Sequence, residues 1–236
     1  MTNKNEINAD VSAKEPYNLE SAFMETCCDG LTESYLESKG YRIISLEENA
    51  KLRMQEGKDA FISQNSNWTK EDVVYLDSGE IYLTKSLPKK KIELDKISIF
   101  DAYELGKSAS NTLCMRRHTM GSKGIENAME NAVKFPKNVD YKIPTDRFGE
   151  DEITDFAFGK IAKDYGKFLK EAGINEMPIK LVDNIYRKKE QEPYALKLMF
   201  EKIGPINGSD LNGFILNPNL YTIFRGVREA IEGKTK

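Results

Sequence analysis

A phosphate-binding loop is the first chemistry that this sequence suggests. A strand-like run leads into Gly106, Lys107 and Ser108, which match the end of the nucleotide-binding motif Gly-x-x-x-x-Gly-Lys-Ser/Thr. The motif needs a glycine five residues before its second glycine, and that position holds Asp101. Because a carboxylate there repels phosphate, we interpret Gly106 as a helix break. Lys107 and Ser108 remain candidates for contact with phosphate.

Basic charge is concentrated in the middle of the chain. Residues 85–142 carry 12 Lys and Arg against 7 Asp and Glu, whereas the whole chain has a net charge of −3. Cations with flexible Gly and Ser nearby can hold phosphate groups. No aromatic side chain lies in the clusters 85–91 and 114–124 to stack on bases, so nucleic-acid binding is not the favoured interpretation. The candidate contacts to phosphate or nucleic acid are Lys107, Ser108, Arg116, Arg117, His118 and Lys123.

His118 is the one histidine of the chain, so any imidazole base must be this residue. Cys114 precedes it by four residues, which on a helix would place both side chains on one face. A structural zinc site needs two more ligands, and the remaining cysteines, Cys27 and Cys28, lack the usual spacing. No orienting group or oxyanion hole is evident near a Cys114 nucleophile. We expect no metal and no cofactor, and whether the protein is an enzyme stays open.

Two further groups of residues are ambiguous in the sequence. Glu150, Asp151, Glu152 and Asp155 could hold a divalent cation, but acids are also favoured in the first turn of a helix, which is our interpretation. Trp68 lies in a polar stretch, where a large ring either covers the core or anchors a partner. We keep Trp68 as the interface candidate.

Local signals predict the elements that would position these residues. The sequence SLEE at 45–48 is a capping box, and the runs at 73–76 and 81–84 flank turn residues as in a hairpin. The clearest helical pattern spans about 150–172, with Gly159 and Gly166 in its interior. Further predicted helices are 19–28, 32–39, 46–55, parts of 101–135, 193–203 and 217–231, and further predicted strands are 41–46, 91–100 and 177–183.

These elements predict an α+β fold, with a small hairpin-containing sheet in the N-terminal half packed with a predominantly helical C-terminal half. Residues 1–16 are polar and are expected to be a flexible tail, followed by a single domain over 17–236 that could divide near 136–149. Neither a membrane-spanning run nor a signal-peptide core is evident, and three cysteines indicate reduced thiols. We therefore expect a soluble cytoplasmic protein without membrane contact.

Two functional hypotheses follow from these observations. The first is a non-enzymatic binding or interaction protein, whose partner is an unknown protein or a small ligand. The alternative is a phosphate- or nucleic-acid-handling protein that uses the basic 85–142 segment. Convergence of its cations on one concave surface would favour the alternative.

Overall fold

The computed structural model describes residues 7–26, 29–85, 118–136, 140–181, 193–204, 209–213 and 222–230. Within these residues the chain forms one twelve-stranded sheet and six α-helices. The strands are β1 (Asn8–Val11), β2 (Leu19–Thr26), β3 (Arg42–Ile43), β4 (Asn67–Tyr75), β5 (Ile81–Thr84), β6 (His118–Thr119), β7 (Ala132–Lys134), β8 (Asp140–Pro144), β9 (Glu176–Lys180), β10 (Tyr194–Phe200), β11 (Leu211–Asn212) and β12 (Thr222–Glu229). The helices are α1 (Asp29–Ser38), α2 (Leu46–Glu56), α3 (Phe61–Gln64), α4 (Ser122–Met129), α5 (Glu152–Phe158) and α6 (Ala162–Glu171).

The sheet is mixed, and its main path runs in the order β1-β2-β12-β4-β10-β11-β9-β8. The pairs β12–β4 and β11–β9 are parallel, and the other pairs on this path are antiparallel. Four further strands pair with members of this path or with each other: β3 pairs with β12, β6 with β10, β5 with β4, and β7 with β5. The last described strand therefore lies between the N-terminal strand β2 and the central strand β4.

The prediction of a small sheet packed with a mostly helical C-terminal half is wrong, because seven of the twelve strands follow residue 117. The predicted helices 193–203 and 217–231 contain the strands β10 and β12. Both strands are buried on both faces: every residue of β10 except Lys197 is buried, as is 223–227. When apolar residues occupy successive positions, the two-residue period of a strand is absent from the sequence. The same run contains apolar residues three and four positions apart, which is the spacing of a helix.

The N-terminal segment also differs from the prediction. Residues 8–11, expected in a flexible tail, pair with β2 as strand β1, and residues 19–26 form β2 instead of a helix. Val11 of β1 packs in a small apolar cluster, and a polar contact between Asp10 and Arg225 also docks the strand. The sequence gives no local sign of that contact, because the two residues are more than 200 positions apart.

The elements with short-range signals are correctly predicted. Ser45 caps α2 in a complete capping box with Glu48, and Gly57 follows the end of this helix. Strands β4 and β5 form the predicted hairpin, and β9 occupies part of the predicted strand 177–183. The predicted helix 150–172 is divided into α5 and α6 by a 3-10 turn that begins at Gly159. The predicted strand 91–100 lies outside the described residues.

Two layers of helices cover the sheet. On one face, helices α2, α5 and α6 form the main core with β4 and β10, through residues that include Val73 and Leu198. On the other face, Val74 and its partner Ala195 pack against α4, and Phe224 packs against α1. Because neighbouring residues of a strand point to opposite faces, Val73 and Val74 belong to two different hydrophobic clusters.

Candidate functional site

Most of the predicted phosphate-binding residues lie outside the described residues. This applies to Lys107, Ser108, Arg116 and Arg117, and also to Cys27, Cys28 and Cys114. His118 belongs to the short strand β6, whose backbone pairs with β10. Lys123 is exposed in the first turn of α4. Whether the cations of the 85–142 segment converge on one surface therefore stays a prediction, since most of them lie outside the described residues.

The acidic cluster at 150–155 acts as a helix cap, as interpreted from the sequence. The Asp151 carboxylate accepts hydrogen bonds from the backbone N–H groups of Ile153 and Thr154 at 3.0 and 3.1 Å. Tyr141 donates its hydroxyl to the same carboxylate at 2.5 Å. Burial, followed by the effect of Asp151, raises the pKa of Tyr141 to about 12. In the part of the chain that the structure describes, no three His, Cys, Asp or Glu side chains form a group that could hold a metal ion.

The polar stretch that contains Trp68 is the start of the central strand β4. Along this strand Asn67, Thr69 and Glu71 are buried, whereas Trp68 and the residues two and four positions later are more exposed. The Glu71 carboxylate accepts from the backbone N–H of Leu46 at 3.1 Å, so the buried row lies beneath α2. Trp68 therefore belongs to the opposite face of the sheet.

The indole ring of Trp68 is stacked on Phe224 of β12, with ring centroids 6.1 Å apart. Trp68 remains partly exposed although it packs against the core around Phe224. This contact fixes one side of the ring, because Phe224 is itself buried. A large aromatic group with a fixed orientation loses little side-chain entropy when a partner binds to its exposed part.

Polar groups from two strands lie beside Trp68. The Lys197 Nζ atom donates to the backbone oxygen of Lys70 at 2.9 Å and lies 3.4 Å from a carboxylate oxygen of Asp72. Met199 is the register partner of Trp68. We name these five residues, Trp68, Lys70, Asp72, Lys197 and Met199, the Trp68 face. Lys70 is exposed and has no ion pair among the described residues, so the face presents an aromatic ring beside a free cation.

Sequence reasoning found Trp68 but missed the strand that carries it. The apolar run VVYL predicts this strand only from position 73. Before position 73 both faces of the strand carry polar residues. Asn67, Thr69 and Glu71 lie under α2, and Lys70 and Asp72 lie on the opposite face. A strand with polar groups on both faces has no hydrophobic alternation.

Two buried arginines lie on the α2 side of the sheet. The Nη1 atom of Arg225 donates to both carboxylate oxygens of Asp10 at 2.5 Å and to Ser21 Oγ at 2.8 Å, and Nε donates to Asn67 at 3.0 Å. Burial lowers the pKa of Arg225, and Asp10 opposes that effect. This network joins β1, β2, β4 and β12.

The second buried arginine, Arg53 of α2, is held mostly by neutral groups. Its Nη1 atom donates to the backbone oxygen of Glu201 at 2.9 Å, to Ser209 Oγ at 3.1 Å and to Tyr165 Oη at 3.4 Å. The guanidinium carbon lies 4.0 Å from the centroid of the Phe200 ring. These contacts place Arg53 between α6 and the end of β10.

A further polar cluster joins the ends of β9, β10 and β11. Glu201 accepts from Ser66 Oγ at 2.5 Å and from Asn212 Nδ2 at 2.9 Å. Asp210 forms an ion pair with Lys180, and burial raises the pKa of Asp210. The cluster connects three strands through side chains, which indicates a structural role.

No family model and no curated protein matches this sequence. A solved structure does match: it is described as "Accommodation of massive sequence variation in Nanoarchaeota by the C-type lectin fold". The two structures align with a TM-score of 0.55 and 16% sequence identity, over 91% of this chain and 99% of that chain. At this identity the likeness shows the fold alone, so the protein has a C-type lectin-like fold. Among the described residues, no helix is long and apolar enough to cross a membrane.

Proposed function

We propose that this protein is a binding module that uses the C-type lectin-like fold to present the Trp68 face to a protein partner. The observation that carries the proposal is the position of Trp68, which is partly exposed on a central strand and held from one side by Phe224. Tryptophan is among the residue types most enriched at binding hot spots. The match to a fold that accommodates massive sequence variation supports a role as a scaffold for recognition.

The composition of the Trp68 face indicates the chemistry of the partner. Asp72 is paired with Lys197, which leaves the charge of Lys70 available. A segment that places an apolar side chain against Trp68 and a carboxylate near Lys70 would complement both groups. We therefore propose a protein partner with an acidic group beside an apolar anchor.

The alternative, phosphate or nucleic-acid handling by the 85–142 segment, has less support. Lys85, the first cation of that segment, donates to the backbone oxygen of Phe156 and lies over its ring at 4.6 Å. That contact directs Lys85 toward α5. The cytoplasmic location also remains part of our proposal, because it depends on the cysteine content of the sequence.

A random peptide library displayed on phage tests the proposal. Peptides selected on the full chain should contain an apolar residue next to Asp or Glu. Substitution Lys70→Glu should weaken their binding by about tenfold or more, because it reverses the available charge without entering the core. Substitution Trp68→Ala should have at least the same effect, measured by fluorescence anisotropy on protein that melts cooperatively.

The matched control is Lys167→Glu, an exposed charge reversal on α6 that should leave peptide affinity unchanged. Selected peptides whose affinity is the same for wild type, Lys70→Glu and Trp68→Ala would contradict the proposed site. Submicromolar binding of a labelled oligonucleotide at physiological salt, lost in Arg116→Glu/Arg117→Glu, would instead support the alternative function.

A further inference from the structure

The inner side of α2 carries two polar residues that the Trp68 face does not use. Asn49 and Arg53 are both 0% exposed and lie four residues apart. On an α-helix this spacing places the two side chains on the same face, one turn apart. Helix α2 packs on the sheet side that holds Glu71, so both side chains are enclosed between the helix and its neighbours.

The hydrogen bonds of Arg53 are all made by one of its three nitrogen atoms. Nη1 donates to the backbone oxygen of Glu201, to Ser209 and to Tyr165. The Nε and Nη2 atoms are buried and have no hydrogen-bond partner. Together Nε and Nη2 form one edge of the planar guanidinium, which is the edge that binds anions with two parallel N–H groups.

Arg53 also forms no ion pair with a described residue. Among the described residues Arg53 has no carboxylate partner, since its contacts are a backbone oxygen, two hydroxyls and the ring of Phe200. Asp10 pairs with Arg225, and Glu71 accepts from Leu46. A fully buried cation without a directly paired counter-charge is unfavourable in a protein interior.

Asn49 adds a second, independent observation. Both its Nδ2 and its Oδ1 atoms are buried without a hydrogen-bond partner. Buried amides are nearly always hydrogen-bonded to protein, water or an ion. One turn away from the unpartnered edge of Arg53, the Nδ2 group provides another donor on the same helix face.

We propose that Asn49 and Arg53 form an internal binding site for a small monovalent anion of the chloride class. The Nε and Nη2 atoms of Arg53 hold the ion from one edge, and Asn49 Nδ2 donates to it from the preceding turn. The complete burial of both residues excludes a bulky ligand. The site neutralises a charge in the core and is separate from the Trp68 face, which lies on the opposite side of the sheet.

Thermal unfolding of the full chain in chloride or in gluconate, at equal ionic strength, tests this site. Gluconate is too large to enter the core, so a saturable rise in melting temperature with chloride measures the internal site. At a hundredfold excess over the dissociation constant we expect a rise of roughly 5–10 °C. Line broadening of the chloride-35 NMR signal should show binding directly.

The variant Arg53→Met keeps the length of the side chain and removes the charge, and should abolish both the rise in melting temperature and the line broadening. Asn49→Leu, which is nearly isosteric, should weaken the effect of chloride on the melting temperature. This variant tests the site if Arg53→Met does not fold. Arg147→Met, at an exposed arginine, should respond to chloride as wild type does. Equal melting temperatures of wild type in chloride and gluconate would overturn the proposal, as would an unchanged chloride effect in Arg53→Met or Asn49→Leu.

Discussion

Asp10 is the counter-charge that makes the burial of Arg225 tolerable. Both carboxylate oxygens accept from Nη1, while the Arg225 side chain is fully buried, with its guanidinium carbon 5.7 and 5.9 Å from the centroids of the stacked Phe23 and Phe61 rings. Removing one partner of a buried ion pair is costly because the other charge stays buried without compensation. Together with the pairing to β2 and the burial of Val11, this contact holds a polar N-terminal segment in the sheet.

We expect Asp10→Asn to lower the free energy of unfolding by about 3–5 kcal/mol, measured by urea denaturation. Replacement of both partners, Asp10→Leu with Arg225→Met, should recover most of that loss because no buried charge remains. Glu15→Gln is the control, since the Glu15 side chain accepts only from exposed Asn18. Equal stability of wild type and Asp10→Asn would contradict this role.

Glu71 predicts how stability depends on pH. Burial raises the pKa of this carboxyl above its usual value of 4.5 in the folded chain. The folded state then binds more protons than the unfolded state, so the contribution of Glu71 to stability falls as pH rises from about 4.5 through the raised pKa. This residue therefore opposes folding at neutral pH.

The variant Glu71→Gln should raise the melting temperature at pH 7, since the amide oxygen can still accept from Leu46 and carries no charge. The gain should shrink as pH falls toward 4.5, where wild type is already protonated. Melting curves from pH 4 to 8 measure this, with Glu150→Gln at an exposed acid as the control. If Glu71→Gln raised the melting temperature equally at every pH, ionisation of Glu71 would not be the cause of the rise.

At the scale of elements, Gly166 shows how packing overrides helix propensity. The sequence indicates only that a glycine in the interior of a helix costs about 1 kcal/mol relative to alanine. In the structure a Cβ at this position would lie 2.8 Å from the Phe148 Cβ and would also collide with the backbone oxygen of Thr145. The glycine allows α6 to approach the 3-10 turn at Thr145–Arg147 closely.

We therefore expect Gly166→Ala to destabilise the protein by about 1–3 kcal/mol, although it improves helix propensity. Lys167→Ala, exposed on the same helix, should change stability little. Chemical denaturation of the two variants distinguishes the effects. A stabilised Gly166→Ala protein would show that α6 can move away from the turn at no cost.

At the scale of the whole molecule, β12 connects the two ends of the chain. It pairs with β2 over eight residues and lies parallel to β4 at Asn67 and Trp68. Phe224 also supports Trp68, so the proposed binding face needs the last described strand. Residues 222–229 thus supply a partner strand to β2 and to β4, and they also supply the ring that supports Trp68.

A chain truncated before residue 222 should lose its cooperative thermal transition, because β2 and β4 would each lose a partner along the middle of the sheet. Near-ultraviolet circular dichroism during heating measures this transition. Glu229→Ala, at an exposed position of the same strand, should retain it. A cooperative transition in the truncated chain would mean that β12 is an addition to an already complete core.

The sequence by itself determined the elements whose signals lie within a few residues. The capping box at Ser45, the Asp151 cap and the hairpin between β4 and β5 depend on neighbours along the chain, so they are visible without the fold. Only the tertiary structure decided β10, β12 and the position of Trp68. The central strands are buried on both faces, which removes the strand period, and their partners lie far away in the sequence. Whether an apolar segment becomes a strand or a helix is then decided by the partners that bury it.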